Sequence, residues 1–276
     1  MLGQAKLMIL ILFLGLFNGW IIRPIIFNFL VSKSLVSDNY KGKKVITAAG
    51  ISLFFSFITT VFTLELIKPE QEIPLLLLWG VSLVSMVGFW DDIWEDSHTK
   101  GLKGHIKALT EGRLTTGAMK AIVGLLVAFF VSRNFSTNLF SLALNILILA
   151  LTINALNLFD LRPGRAIKIF YIAFFGLLFT HPWENETLWL LALAGTLFVY
   201  APWDLSGRAM LGDTGSNLLG FFIGYNFVVL VSTPNKILIV LFLLLVHWYS
   251  EHYSLTELIS KRKLLNFLDR LGRPEV

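Results

Sequence analysis

The chain has 276 residues, of which 55% are hydrophobic and only 15% are charged, and it contains no cysteine. A soluble domain carries roughly 25% charged residues, so the composition predicts an integral membrane protein and excludes a disulfide framework or a thiolate metal site. The net charge of +5 would suit a nucleic-acid partner, but membrane topology accounts for it below, and we expect no nucleic-acid binding.

Apolar segments long enough to cross a bilayer recur along the whole chain. A transmembrane helix needs about 20 mostly apolar residues, with a lower limit of roughly 17. We therefore predict an all-α, polytopic bundle of about nine transmembrane helices, in which residues 1–250 form one domain and residues 251–276 a tail. The predicted spans are 4–25, 46–67, 74–90, 116–132, 138–158, 166–181, 186–202, 215–232 and 236–250.

The positions of the basic residues predict how the bundle is oriented. All but four of the 23 Lys and Arg residues fall in the predicted loops of one side. By the positive-inside rule this side is cytoplasmic, which puts the N-terminus outside and the C-terminus inside. The four exceptions are Lys6, Lys68, Arg133 and Lys236.

The C-terminal tail is amphipathic. It reads LTELISKRKLLNFLDRLGR, with bases between the apolar side chains of Leu258, Leu265, Leu268 and Leu271. A basic amphipathic helix is suited to the surface of the inner leaflet. We predict that position for the tail, with contact to a partner enzyme as the alternative.

The third predicted span ends in two adjacent acids. Residues 84–96 read VSMVGFWDDIWED, so Asp91 and Asp92 lie at a helix C-terminus, where negative charge is unfavourable. Adjacent carboxylates also repel one another. Proton sharing, a Lys or Arg partner, or a divalent ion such as Mg²⁺ would relieve this. The alternative is a solvated loop start, with Lys100 and Lys103 as counter-charges.

Polar residues also line the cytoplasmic end of the fifth span, in NALNLFDLRPGR. Asn154, Asn157 and Asp160 are spaced three apart, so they share one helix face. Polar groups at this depth face the bundle or a cavity. Arg162 and Arg165 flank a helix-breaking Pro-Gly pair and suit phosphate contacts. The alternative is interhelical hydrogen bonding, with arginines that only follow the positive-inside rule.

The eighth span begins with MLGDTGSN. Asp213 is placed as the N-cap of a helix, with Ser216 three residues later. Gly212 and Gly215 permit a tight turn and a close approach of the backbone to a ligand, and a helix N-terminus attracts anions. Asp213 is therefore either a plain N-cap or a metal ligand beside a phosphate.

These segments, together with the basic stretch NYKGKKVITAAG, all lie on the predicted cytoplasmic face. In chain order, GFWDDIW, NALNLFD and LGDTGSNLLGFFIG resemble the polyprenyl-phosphate N-acetylhexosamine-1-phosphate transferases. That superfamily includes the phospho-N-acetylmuramoyl-pentapeptide transferase of peptidoglycan synthesis and the undecaprenyl-phosphate GlcNAc-1-phosphate transferases. The resemblance covers roughly residues 41–225 and indicates a short, divergent member.

The resemblance implies a membrane-embedded enzyme in a bacterial plasma membrane, with its active face in the cytoplasm. Members transfer a sugar-1-phosphate from a UDP-N-acetylhexosamine-type donor to undecaprenyl phosphate, release UMP, and use Mg²⁺. It implies catalytic roles for Asp91, Asp92, Lys120 and Asp160, and metal binding by Asp213 and Asp92. The substrate-binding residues it implies are Lys41, Asn154, Asn157, Arg162, Arg165, Gly212, Gly215 and Ser216.

Two departures from the family pattern define the alternative. Pro163 occupies a position where a second aspartate is common, and the late cytoplasmic loop offers only His247 and His252 where a histidine cluster is usual. A non-catalytic relative that binds polyprenyl phosphate or a nucleotide sugar as a regulator is therefore the second hypothesis. The donor sugar and the oligomeric state, a homodimer included, stay open.

Overall fold

A computed structural model describes residues 2–38, 42, 44–94, 104 and 108–274. Nine longer helices in these residues follow the nine predicted segments, and two short helices form the tail. The longer helices are α1 (Leu2–Ser32), α2 (Ile51–Ile67), α3 (Leu75–Trp94), α4 (Thr116–Asn134), α5 (Leu139–Phe159), α6 (Arg165–Thr180), α7 (Asn185–Leu205), α8 (Gly212–Leu230) and α9 (Thr233–His252). The tail helices are α10 (Leu255–Lys261) and α11 (Lys263–Arg270).

The chain is a multi-pass membrane protein with a helical bundle, as its composition predicts. Six of the described helices are long and apolar enough to cross a membrane, namely α1, α3, α4, α5, α7 and α9. Helix α2 is apolar but shorter, and α6 has only 16 residues. The count of nine crossings and the orientation of the bundle stay predictions.

Local sequence explains where several helices begin. The Thr115 hydroxyl accepts a hydrogen bond from the Ala118 N–H at 3.1 Å and caps α4. The Asn138 side chain accepts from the Ser141 N–H at 2.8 Å and caps α5. Such side chains satisfy backbone N–H groups that have no partner within the helix. Gly164, with a φ of +73°, turns the chain into α6.

A small hairpin replaces the start of the predicted second span. Strands β1 (Val36–Asp38) and β2 (Lys44–Ile46) pair antiparallel. The Ile46 N–H donates to the Arg208 carbonyl at 3.2 Å, and the Met210 N–H donates to the Ile46 carbonyl at 2.8 Å. The predicted boundary of 46–67 is therefore wrong at its start, because these backbone groups pair with the loop before α8 and the helix begins only at Ile51.

Helix α8 lies at the centre of the bundle and packs mainly against α5 and α3. Two glycines on the neighbouring faces allow this close approach. A Cβ on Gly220 would lie 2.6 Å from the Ile153 Cα of α5. A Cβ on Gly88 of α3 would lie 2.5 Å from the Asp213 carbonyl oxygen. The Gly88 contact brings the end of α3 against the first turn of α8, where the polar residues collect.

The Gly88 contact gives a first prediction. Gly88→Ala places a methyl group against rigid backbone, and we expect it to lower the free energy of unfolding by about 1–3 kcal/mol, the usual cost of overpacking. Gly124→Ala in α4 is the control, because no atom lies within 4 Å of its added Cβ. Thermal unfolding in detergent measures both variants, and equal midpoints would show that the α3–α8 approach is not tight.

Candidate active site

Two acids from distant segments share one lysine at the end of the bundle where α3, α4 and α8 meet. The Lys120 ammonium of α4 donates to Asp91 Oδ2 of α3 at 2.8 Å and also to Asp213 Oδ2 in the first turn of α8. The side chains of Asp91, Asp213 and Lys120 are 14%, 22% and 30% exposed, so a ligand can reach all three. Lys120 is thus a counter-charge for Asp91 at the end of α3 and for Asp213 at the start of α8.

Helix α5 adds an amide to the same cluster. Asn157 Nδ2 donates to Asp213 Oδ1 at 2.7 Å, so the two Asp213 oxygens are held by Asn157 and Lys120. This contact joins the asparagine motif to the aspartate motif of α8. We call Asp91, Lys120, Asn157 and Asp213 the carboxylate cluster. The sequence predicted each of the four as a site residue, and the structure brings them together.

Asp92 points elsewhere and caps α8. Its Oδ1 accepts the Asp213 backbone N–H at 2.8 Å, and its Oδ2 accepts the Thr214 backbone N–H at 3.0 Å and the Thr214 hydroxyl at 2.5 Å. The prediction that Asp213 is the N-cap is wrong, because α8 begins at Gly212 and the capping carboxylate comes from α3. An acid at the end of α3 is stabilised here by the positive end of α8.

The small residues of the α8 motif serve this junction. Gly212 has a φ of +68°, and a Cβ there would lie 2.6 Å from Asp92 Oδ2. A Cβ on Gly215 would lie 3.0 Å from the Gly50 Cα. Ser216 is fully buried, and its hydroxyl has no hydrogen-bond partner among the described residues. The structure therefore places Gly212 against the Asp92 cap, Gly215 against Gly50 and Ser216 in the buried interior, and their predicted substrate contacts stay predictions.

A buried acid that the sequence analysis missed ties two loops together. Asp204, near the end of α7, is 3% exposed. Its carboxylate accepts the Gly164 N–H at 2.5 Å and the Leu211 N–H at 3.2 Å. It therefore links the Pro-Gly turn before α6 to the turn that starts α8. A charged residue at the end of an apolar helix was the available signal, since such residues are costly unless they have a role.

Asp160, one of the predicted catalytic residues, lies next to Asp204. Both line a cavity of about 140 Å³ together with Arg162. Burial raises the pKa of the Asp160 carboxyl well above its ordinary range, and the negative charges of Asp204, Asp92 and Asp213 raise it further. Asp160 is thus held toward its protonated form beside the carboxylate cluster.

The other predicted substrate-binding residues are dispersed. Asn154 is exposed one turn before Asn157 on α5. Lys41 lies outside the described residues, as do Lys100 and Lys103, the alternative counter-charges for the acids of α3. Their predicted roles stay predictions.

Arg165 anchors the C-terminal tail. Its guanidinium is 5% exposed and donates to both carboxylate oxygens of Asp269, at 2.9 and 3.1 Å, and to the Thr256 hydroxyl at 3.1 Å. Arg273 also pairs with Asp269 at 2.9 Å and donates to the Pro163 carbonyl at 2.7 Å. The contacts of Arg165 shown here are with the tail, and its predicted contact with a substrate phosphate stays a prediction.

The Asp269 pairing predicts how tail docking depends on pH. Burial alone would raise the pKa of Asp269, but hydrogen bonds and charge from Arg165 and Arg273 outweigh it and hold the pKa below its ordinary range. The contribution to stability is therefore full above the ordinary carboxyl pKa of about 4 and is lost as the pH falls through the lower pKa of the folded protein.

Hydrogen–deuterium exchange of residues 263–270 measures this effect. At pH 7 we expect the backbone amides of Asp269→Asn to exchange faster than those of the wild type. The loss of protection should correspond to roughly 3 kcal/mol, because the substitution breaks the buried Arg165–Asp269 ion pair. The difference between the two proteins should shrink as the pH falls below the ordinary carboxyl pKa of about 4 and through the lower pKa of Asp269 in the folded protein. Equal exchange at pH 7 would contradict the anchoring role.

The carboxylate cluster offers two of the hard oxygen donors that Mg²⁺ takes, although no group of three or more His, Asp or Glu is arranged around one point in the part of the chain that is described. Asp91 and Asp213 already share one cation, the Lys120 ammonium. Mg²⁺ takes hard oxygen ligands and is usually bound by one or two carboxylates, with waters and substrate phosphates completing its shell. Asp91 and Asp213 are therefore the fitting pair, since both Asp92 oxygens accept backbone N–H groups.

The carboxylate cluster lies inside a region shared with known proteins. Residues 74–232, more than half of the chain, match the sequence profile of the family described as Glycosyl transferase family 4. The chain belongs to glycosyl transferase family 4. Membership confirms the resemblance seen in the three motifs, all of which fall within the matched residues.

One curated family 4 relative is the phospho-N-acetylmuramoyl-pentapeptide-transferase of Clostridium botulinum (strain Eklund 17B / Type B). It is 26% identical over 186 residues, which cover 63% of this chain and 56% of the relative. The match thus spans little more than half of the relative's length. It supports membership in family 4 and leaves activity, substrates and partners to be proposed from the site.

Proposed function

We propose that the protein transfers a sugar-1-phosphate from a UDP-N-acetylhexosamine-type donor to undecaprenyl phosphate and releases UMP. The reaction would serve cell-envelope polymer synthesis, such as that of peptidoglycan, at the cytoplasmic face of a bacterial plasma membrane. One observation carries this proposal: Asp91, Lys120, Asn157 and Asp213 come from four separate helices and meet in one partly buried cluster. Membership in family 4 and the similarity to a phospho-N-acetylmuramoyl-pentapeptide-transferase support the same class of reaction.

Asp213 and Asp91 are the residues that would hold Mg²⁺, with Asp213 oriented by the Asn157 amide. When bound, the ion would stabilise negative charge on the donor diphosphate and on the departing UMP. Asp92 has a supporting part in this proposal, because its contacts fix the first turn of α8 and hence the position of Asp213.

The reaction forms one P–O bond and breaks another. An oxygen of the lipid phosphate bonds to the phosphorus that carries the sugar, and the bond from that phosphorus to the UMP oxygen breaks. Asp91 would orient the acceptor phosphate. The Lys120 ammonium would offset the negative charge that builds up on the phosphoryl oxygens, a stabilisation that is strongest when the charge is already positioned.

The proposal is tested with purified protein, undecaprenyl phosphate and a panel of UDP-sugars, with UMP release as the readout. We expect release with one donor class, and none when Mg²⁺ is removed by a chelator. A protein that binds the lipid or a nucleotide sugar but releases no UMP would instead be the non-catalytic relative. Two observations favour that second candidate: Pro163 replaces a common aspartate, and Arg165 is committed to the tail.

A further inference from the structure

Two arginines from distant parts of the chain stack on one tryptophan. The guanidinium carbon of Arg23, in α1, lies 5.0 Å from the Trp203 ring centroid, and that of Arg208 lies 4.3 Å from it. Arg23 Nη1 donates to the Val199 carbonyl at 3.1 Å, and Arg208 Nε donates to the Ser206 hydroxyl at 2.8 Å. These contacts fix both guanidinium groups on the same indole.

This pair of charges is not neutralised by the protein within the described residues. No carboxylate there lies within ion-pair distance of either arginine. Arg23 Nε is buried and has no hydrogen-bond partner among the same residues. Two like charges held on one ring repel each other, so an anion that contacts both would stabilise the arrangement.

The position of Arg23 and Arg208 relative to the membrane indicates which anions they can contact. Helix α1 has 31 residues, which corresponds to about 46 Å of helix and exceeds the hydrocarbon thickness of about 30 Å. At least one end of α1 must therefore project into the headgroup region, and Arg23 lies in its C-terminal third. Around Arg23, the side chains of Trp20, Ile25 and Phe29 are 65%, 58% and 52% exposed. Exposed aromatic and aliphatic side chains beside a base are typical of the membrane interface.

We propose that Arg23 and Arg208, held on Trp203, bind the phosphate group of an anionic phospholipid. The planar guanidinium groups match the oxygens of a phosphate, and basic pockets between helices at the cytoplasmic surface accept such headgroups. Arg208 lies in the loop that leads to α8, and its backbone carbonyl accepts a hydrogen bond from the Ile46 N–H. The site shares no residue with the carboxylate cluster, and it does not rest on the proposed transfer reaction.

The test titrates phosphatidylglycerol, phosphatidylcholine or inorganic phosphate into the detergent-solubilised full chain and follows thermal unfolding. Phosphatidylglycerol is expected to bind about fivefold or more tightly than phosphatidylcholine, the effect of roughly one basic side chain near a charged headgroup. Arg208→Gln should abolish this preference, because it removes one of the two guanidinium groups that bind the phosphate. Arg208 is exposed, so its substitution is expected to leave the bundle intact. Arg133→Gln, which removes an exposed base at the end of α4, should retain it.

Two results would overturn the proposal. The first is equal stabilisation of the wild type by the two lipids. The second is an Arg208→Gln protein that keeps the wild-type preference for phosphatidylglycerol. Stabilisation by inorganic phosphate equal to that by phosphatidylglycerol, and lost in Arg208→Gln, would confirm the phosphate site and assign it to a soluble ligand in place of a lipid. None of these readouts involves UMP release, so the phospholipid site and the transfer reaction are tested independently.

Discussion

Lys120→Met is expected to lower the rate of UMP release by about a hundredfold to a thousandfold, the usual effect of removing one charge-stabilising donor from a transfer site. Methionine keeps the length of the side chain and removes only the ammonium that joins Asp91 to Asp213. The two carboxylates then face each other without a counter-charge, and each resists ionisation beside the other. Both the charge on the site and the orientation of the acids are lost.

Lys120→Arg is the matched control for this prediction. It retains the positive charge with a different shape, and we expect it to keep a measurable part of the activity. Thermal unfolding of both variants separates a local change from a loss of fold. A Lys120→Met protein that releases UMP at the wild-type rate would show that this ammonium has no part in the reaction.

Asp92→Ala is expected to lower the free energy of unfolding by about 1–3 kcal/mol, because it leaves the backbone N–H groups that start α8 without acceptors. Asp92 accepts two of these backbone N–H groups, those of Asp213 and Thr214, and also the Thr214 hydroxyl. The first turn of α8 would loosen, and Asp213 with it. Activity should therefore fall together with stability.

Asp91→Asn is the comparison that separates the two neighbouring acids. Asp91 pairs with the Lys120 ammonium at 2.8 Å and also contacts the Thr116 side chain. We expect its substitution to lower UMP release with little change in the unfolding midpoint. If Asp91→Asn is the more destabilised protein and Asp92→Ala unfolds like the wild type, the roles assigned to the two residues are reversed.

The apolar segments made the helices of the bundle predictable, because each must be long enough to bury its backbone in lipid. The hairpin was not predictable in the same way. The residues VITAAG are as apolar as a helix start, yet Ile46 pairs with Val36 in the hairpin, and its backbone groups also pair with the distant loop at Arg208 and Met210. Such a contact depends on tertiary structure and leaves no local pattern.

The sequence predicted which residues form the candidate site better than it predicted what each residue does. The motifs of α3, α5 and α8 predicted that Asp91, Asn157 and Asp213 would share one face, and the structure brings them together. Spacing alone did not separate Asp91 from Asp92, because adjacent residues on a helix point in different directions. Nor did it reveal that Arg165 pairs with Asp269, more than 100 residues later.

The most direct test of the central claim is the rate of UMP release by Asp213→Asn, measured with the active UDP-sugar, undecaprenyl phosphate and saturating Mg²⁺. Asp213 joins every other member of the carboxylate cluster, either directly or through Lys120, and the substitution preserves its shape. Arg133→Gln, which removes an exposed base at the end of α4, is the control, because no site role is predicted for Arg133. We predict that Asp213→Asn folds like the wild type and loses UMP release by at least about a hundredfold, while Arg133→Gln retains most of it. Wild-type release by Asp213→Asn would contradict the assignment of the reaction to this cluster.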